Sequence, residues 1–102
     1  MMTLHTFKGF VDGAREAYIK AVEKHPQFTT RLCNHDLGEV LEFLALCRKW
    51  NANRKKECFN SIIDEEIAEY IEASLDGDHD AARRELLDCA AVLMREWERI
   101  SQ

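Results

Sequence analysis

The stretches DEEIAEYIEAS, Asp64 to Ser74, and RRELLDCAAVLMREW, Arg83 to Trp97, decide how this chain reads. Glu66 and Glu69 stand three apart in the first, and Glu85 and Asp88 three apart in the second. Residues three apart on a helix share a face. A helix turns about 100° per residue, so the direction of each acid can be read against its apolar neighbours. Phe59, Ile62, Ile63, Ile67, Tyr70 and Ala73 set the apolar arc of the first stretch. Glu66 falls inside that arc and Glu69 at its edge, whereas Glu65 and Glu72 lie further towards solvent. Ala82, Leu86, Cys89, Val92, Leu93, Trp97 and Ile100 set the arc of the second. Glu85 falls inside it and Asp88 at its edge. Burying an unpaired carboxylate costs several kcal/mol. No lysine or arginine lies on these inward arcs to pair with them. Two such helices side by side aim four oxygen-bearing side chains at one point, which suits a hard divalent cation such as Mg²⁺. Glu39 and Glu42 are also three apart, but they project away from the stripe of their helix and read as surface acids.

Working outward, four helical segments emerge and no strand. The first runs from about Leu4 to Lys24, with Phe7, Phe10, Val11, Ala14, Tyr18, Ala21 and Val22 on one stripe. His25-Pro26 stops it, because a residue before proline avoids the helical region. A polar connector, Gln27 to His35, follows. The second begins at Asp36, where Asp36 and Glu39 fit a capping box. It carries Leu37, Val40, Leu41, Leu44 and Cys47 inward and ends near Trp50. The third runs from about Arg54 to Leu75. Asp76-Gly77-Asp78 turns the chain, with Gly77 suited to the left-handed conformation past a helix end. The fourth runs from about Asp80 to Ile100. The expected fold is all-α, a four-helix antiparallel bundle with short loops.

At 102 residues the chain makes one domain with a modest core, and association of copies would enlarge it. A charged fraction of 32% beside 46% hydrophobic residues marks a soluble globular chain rather than a disordered one. The net charge of −5 disfavours direct nucleic-acid binding. No apolar run is long enough for a membrane span, and MMTLHTFKGF lacks the apolar core of a signal peptide. Cys33, Cys47, Cys58 and Cys89 form no Cys-x-x-Cys pair, so they read as reduced thiols in a cytoplasmic protein rather than a zinc site. His5, His25, His35 and His79 form no cluster. A di-iron carboxylate bundle would need Glu-x-x-His pairs, and none occurs.

Glu65-Glu66-Ile-Ala-Glu69, followed by Glu85-Leu-Leu-Asp88, resembles the Glu-Glu-x-x-Glu and Glu-x-x-Asp signature of the MazG-like all-α nucleoside triphosphate pyrophosphohydrolases. The resemblance covers roughly Asp36 to Trp97. It implies Mg²⁺ held by Glu66, Glu69, Glu85 and Asp88, with Mn²⁺ as a substitute. Glu65 would stand behind these ligands or polarise water. The implied reaction takes a (deoxy)nucleoside triphosphate and water to the monophosphate and pyrophosphate. In this chemistry charge on the phosphate oxygens must be neutralised and a water held in line. By the same resemblance, Trp50 would help form a base pocket, and the chain would assemble as a homodimer or homotetramer.

The run from Arg48 to Lys56 is the most basic part of the chain. One or two basic residues of this run, Lys55 or Lys56 first among them, are expected to contact the triphosphate, and Asn51 or Asn53 to read the base edge. The plainer reading is a solvated helix end with a capping aromatic. Arg84 is expected to pair with Asp88 or Asp80, and Trp97 to serve core or interface. The family adds a helix after its Glu-x-x-Asp helix, often with a basic residue for the phosphates, whereas this sequence ends at Gln102 and carries an extra helix before the matching region. The Phe7 and Tyr18 helix is expected to take that place, unless a neighbouring subunit supplies it. The competing reading is a catalytically silent nucleotide-binding or helical assembly module.

Overall fold

The computed structural model of the chain describes residues 2–27 and 36–102. Cys33, His35 and most of the polar connector lie outside the described residues. Among those described there are four helices and no strand: α1 Leu4–Lys24, α2 Leu37–Asn51, α3 Phe59–Leu75 and α4 His79–Ile100. None of these helices is long and apolar enough to cross a membrane. The described residues fall into two compact units: residues 2–27 with Met94–Gln102, and residues 36–93.

In the first unit, the Thr3 hydroxyl accepts from the Thr6 amide at 3.2 Å and caps α1. The helix closes at His25, whose amide donates to the Ala21 carbonyl just before Pro26. The expected inward stripe of α1 is not a core, because α1 holds no buried residue. Phe10 meets Trp97 edge-to-face, with ring centroids 5.9 Å apart. The α4 segment of this unit, Met94 to Ile100, is about 10 Å long against about 31 Å for α1. It is therefore too short to cover the stripe. Phe7, Val11, Tyr18, Ile19 and Val22 remain exposed.

In the second unit, α2 packs on α3. Asp36 caps α2 by accepting from the Gly38 amide at 3.2 Å. Val40, Leu44 and Cys47 follow the expected helical spacing into the core, but Leu37 and Leu41 stay exposed. Among the described residues, Leu44 alone is a large, fully buried side chain. Its neighbours in burial, Ala68, Ala73 and Ala82, are small and let helix backbones approach closely.

The expected helix from Arg54 is shortened, since α3 begins at Phe59. Local side chains hold residues 52–58 in turns instead. The Trp50 indole N–H donates to the Lys56 carbonyl at 2.9 Å, and Asn53 Oδ1 accepts from the Lys55 amide at 3.1 Å. Ser61 Oγ accepts from the Cys58 amide at 2.9 Å and fixes where α3 starts. The α3–α4 turn is as expected. Gly77 takes φ 72°, the Asp78 amide donates to the Ala73 carbonyl, and the Gly77 amide donates to the Ser74 carbonyl. Asp78 Oδ1 then accepts from the Ala81 amide at 3.0 Å and caps α4. This tight connection sets the register between the acids of α3 and those of α4.

Candidate metal centre

The α3–α4 register brings Glu66, Glu85 and Asp88 together. Each offers one carboxylate oxygen, and these oxygens all lie within 4.8 Å of one another. Glu66 and Glu85 are half-buried and Asp88 is exposed, so each helix presents one acid inward and α4 presents one at the rim. Oε2 of Glu66 and Oε2 of Glu85 are buried without a hydrogen-bond partner. Orphaned buried carboxylate oxygens are costly. A cation coordinated between them relieves that cost, so the residues present fit a divalent metal ion.

The electrostatics agree. Burial, with the charges of Glu69, Asp88 and Glu65, pushes the Glu66 carboxyl up to about 7. Burial also pushes Glu69 up to about 7, aided by a hydrogen bond with Glu85 and by the charges of Glu85 and Glu65, and opposed by Arg48. A hydrogen bond between two carboxyl groups requires that one of them hold a proton. Without metal, protons therefore do part of a cation's work at this site. Cys89 lies close enough for Glu66, Glu85 and Asp88 to reinforce the effect of burial on its thiol, whose pKa is raised. It stays a neutral thiol and is a poor match for a hard ion.

Around this cluster stand two residues from the end of α2. Arg48 of α2 reaches Glu69 Oε1 at 3.5 Å, so the cluster does have a cationic neighbour, contributed from across the fold. Asn51 Nδ2 donates to the Ser61 carbonyl at 2.9 Å and to Glu65 Oε1 at 3.0 Å. Glu65 is thereby half-buried and anchored rather than free at the surface. A cavity of about 290 Å³ is lined by Arg48, Glu69, Glu72, Asp76, Asp78 and Glu85, among others. A second, of about 340 Å³, is lined by Arg48, Asn51, Ala52, Arg54, Glu57 and Glu65.

Trp50, Asn53, Lys55 and Lys56 stand at the α2–α3 turn. Trp50 carries the Lys56 ammonium 5.2 Å from its ring centroid, and Asn53 turns its carbonyl oxygen back to the Lys55 amide. Trp50, Asn53, Lys55 and Lys56 thus build the α2–α3 turn and line neither cavity beside the acids. Arg84 makes none of the expected pairs, and it is Arg83 that pairs with Asp80. Glu39 and Glu42 are exposed on α2, as their direction implied. Comparison with known protein families, with curated proteins and with solved structures finds no match for this chain.

Proposed function

We propose that this chain is a Mg²⁺-dependent nucleoside triphosphate pyrophosphohydrolase of the MazG-like all-α kind, converting a (deoxy)nucleoside triphosphate to the monophosphate and pyrophosphate. The observation that carries the reading is the convergence of Glu66, Glu85 and Asp88 with two orphaned carboxylate oxygens. Glu66, Glu69, Glu85 and Asp88 would hold the ion, and Mn²⁺ would replace Mg²⁺ in the same oxygen-rich site. When bound, Mg²⁺ supplies neutralisation of charge on the phosphate oxygens. Glu65 has Oε1 engaged by Asn51, which leaves Oε2 to accept a proton from the attacking water. The free cysteines Cys47, Cys58 and Cys89 are in keeping with a cytoplasmic protein.

A second reading, an assembly or nucleotide-binding module without turnover, draws on α1. Its exposed stripe suits a further copy of the chain, as a homodimer or homotetramer. One experiment separates the readings: incubation with a panel of nucleoside triphosphates and Mg²⁺, followed for both binding and pyrophosphate. Pyrophosphate release that is lost in Glu66→Gln supports the enzyme. Binding without product supports the module.

A further inference from the structure

The acids account for the metal half of a triphosphate site, and the phosphate half needs cations from the chain. Four carboxylates bring four negative charges, one divalent ion returns two, and a triphosphate adds several more. Basic residues are therefore required within reach of the cluster. The Lys56 ammonium is engaged elsewhere, over Trp50, and neither Lys55 nor Lys56 lines a cavity beside the acids. Of the residues lining the two cavities beside the acids, Arg48 and Arg54 are the basic ones, and Arg48 alone lines both. Its side chain is 56% exposed, and its contact with Glu69 is a single long one of 3.5 Å. Such a pair contributes little and is readily exchanged. A guanidinium in this position presents several donors suited to phosphate oxygens.

We infer that Arg48 is the phosphate-binding residue of this site, resting against Glu69 in the free protein and transferring its guanidinium to the phosphate chain when metal and substrate enter. The inference rests on the pyrophosphohydrolase reading. Charge makes the exchange favourable. Glu69 would be among the residues holding a divalent ion, whose charge would offset its own, so the guanidinium would give up one anion as a stronger one arrives. Arg54 borders only the cavity on the Glu65 side and takes a supporting part.

The test uses inorganic tripolyphosphate with saturating Mg²⁺, titrated calorimetrically into wild type, Arg48→Gln, Arg48→Lys and the control Arg83→Gln. Pyrophosphate release from nucleoside triphosphates is measured beside it. Loss of one charged phosphate contact weakens tripolyphosphate binding and raises KM about tenfold or more. Arg48→Lys recovers part of this, and Arg83→Gln binds tripolyphosphate as wild type does. Mg²⁺ affinity without phosphate stays within about twofold in Arg48→Gln, because the pair with Glu69 is weak. If Arg48→Gln binds tripolyphosphate as wild type does, or loses only Mg²⁺ affinity, the role of Arg48 is overturned while the enzyme reading stands. If wild type neither binds tripolyphosphate nor releases pyrophosphate, the enzyme reading falls and takes this role with it.

Discussion

Glu66 on α3 and Glu85 on α4 each turn a buried Oε2 towards the interior without a hydrogen-bond partner, and with Asp88 they place carboxylate oxygens within 4.8 Å of one another. A folded protein holds such a pair only at a cost. That cost makes the site's behaviour towards protons and metal predictable.

Protons come first. Glu66 and Glu69 are both raised to about 7 from an ordinary value of 4.5. A raised carboxyl contributes stability that is fully present below its unfolded pKa and is lost as pH rises through the folded one. The metal-free protein is therefore expected to melt at a higher temperature near pH 5 than near pH 8. Thermal melts in the presence of a chelator across this range check it. A melting temperature that rises with pH would contradict the assignment of these two groups.

Metal should reverse that trend. Divalent ions compete with protons for the same oxygens, so stabilisation by Mg²⁺ grows between about pH 5 and pH 8. At a hundred times its dissociation constant a ligand adds about 2.7 kcal/mol. Glu66→Gln and Asp88→Asn should each abolish most of this gain. Glu66→Gln should leave the metal-free protein at least as stable as wild type above pH 7, because it removes a buried charge. Equal Mg²⁺ stabilisation in wild type and both variants would place the ion elsewhere.

The core of the second unit is thin, and Leu44 carries much of it. Leu44→Ala should destabilise the protein by about 3 kcal/mol, within the usual range for a fully buried leucine. Leu41→Ala, at a residue 43% exposed on the same helix, should cost well under half as much. Denaturant titration measures both.

Asn51 ties the end of α2 to Ser61 and Glu65 of α3. Asn51→Ala frees Glu65 and should lower kcat more than it changes KM, if Glu65 Oε2 takes the water proton. Asn51→Asp adds a negative charge opposite Glu65 and should be worse than alanine. Steady-state pyrophosphate release reads both, and unchanged kcat in Asn51→Ala would remove Glu65 from the reaction.

Much of the helical frame was legible because helix signals are local. The cap at Asp36, the break at Pro26 and the left-handed Gly77 each depend on neighbours along the chain. The inward direction of Glu66 and Glu85 follows from a 100° turn per residue measured against apolar neighbours. α3 starts later than the sequence pattern implies because Trp50, Asn53 and Ser61 bind backbone groups across the turn, and an unbroken polar run does not show that. The contact of Arg48 with Glu69 spans 21 positions, so spacing along one helix does not show it. One signal was present: Arg48 and Asn51 stand three apart on α2, next to the buried Cys47, so they share the face turned towards α3. The apolar stripe of α1 was correctly periodic, but periodicity cannot say what covers a stripe.

Pyrophosphate release from a panel of nucleoside triphosphates with Mg²⁺, in wild type and Asp88→Asn, decides whether this chain is a pyrophosphohydrolase. Asp88 is exposed, so its substitution leaves the fold intact, as circular dichroism will verify. A pyrophosphohydrolase with Asp88 at its metal releases pyrophosphate and monophosphate in equal amounts in a Mg²⁺-dependent way, and about a hundredfold or more slowly in the variant. Turnover that persists undiminished in Asp88→Asn, or no pyrophosphate from any triphosphate with wild type, would contradict it.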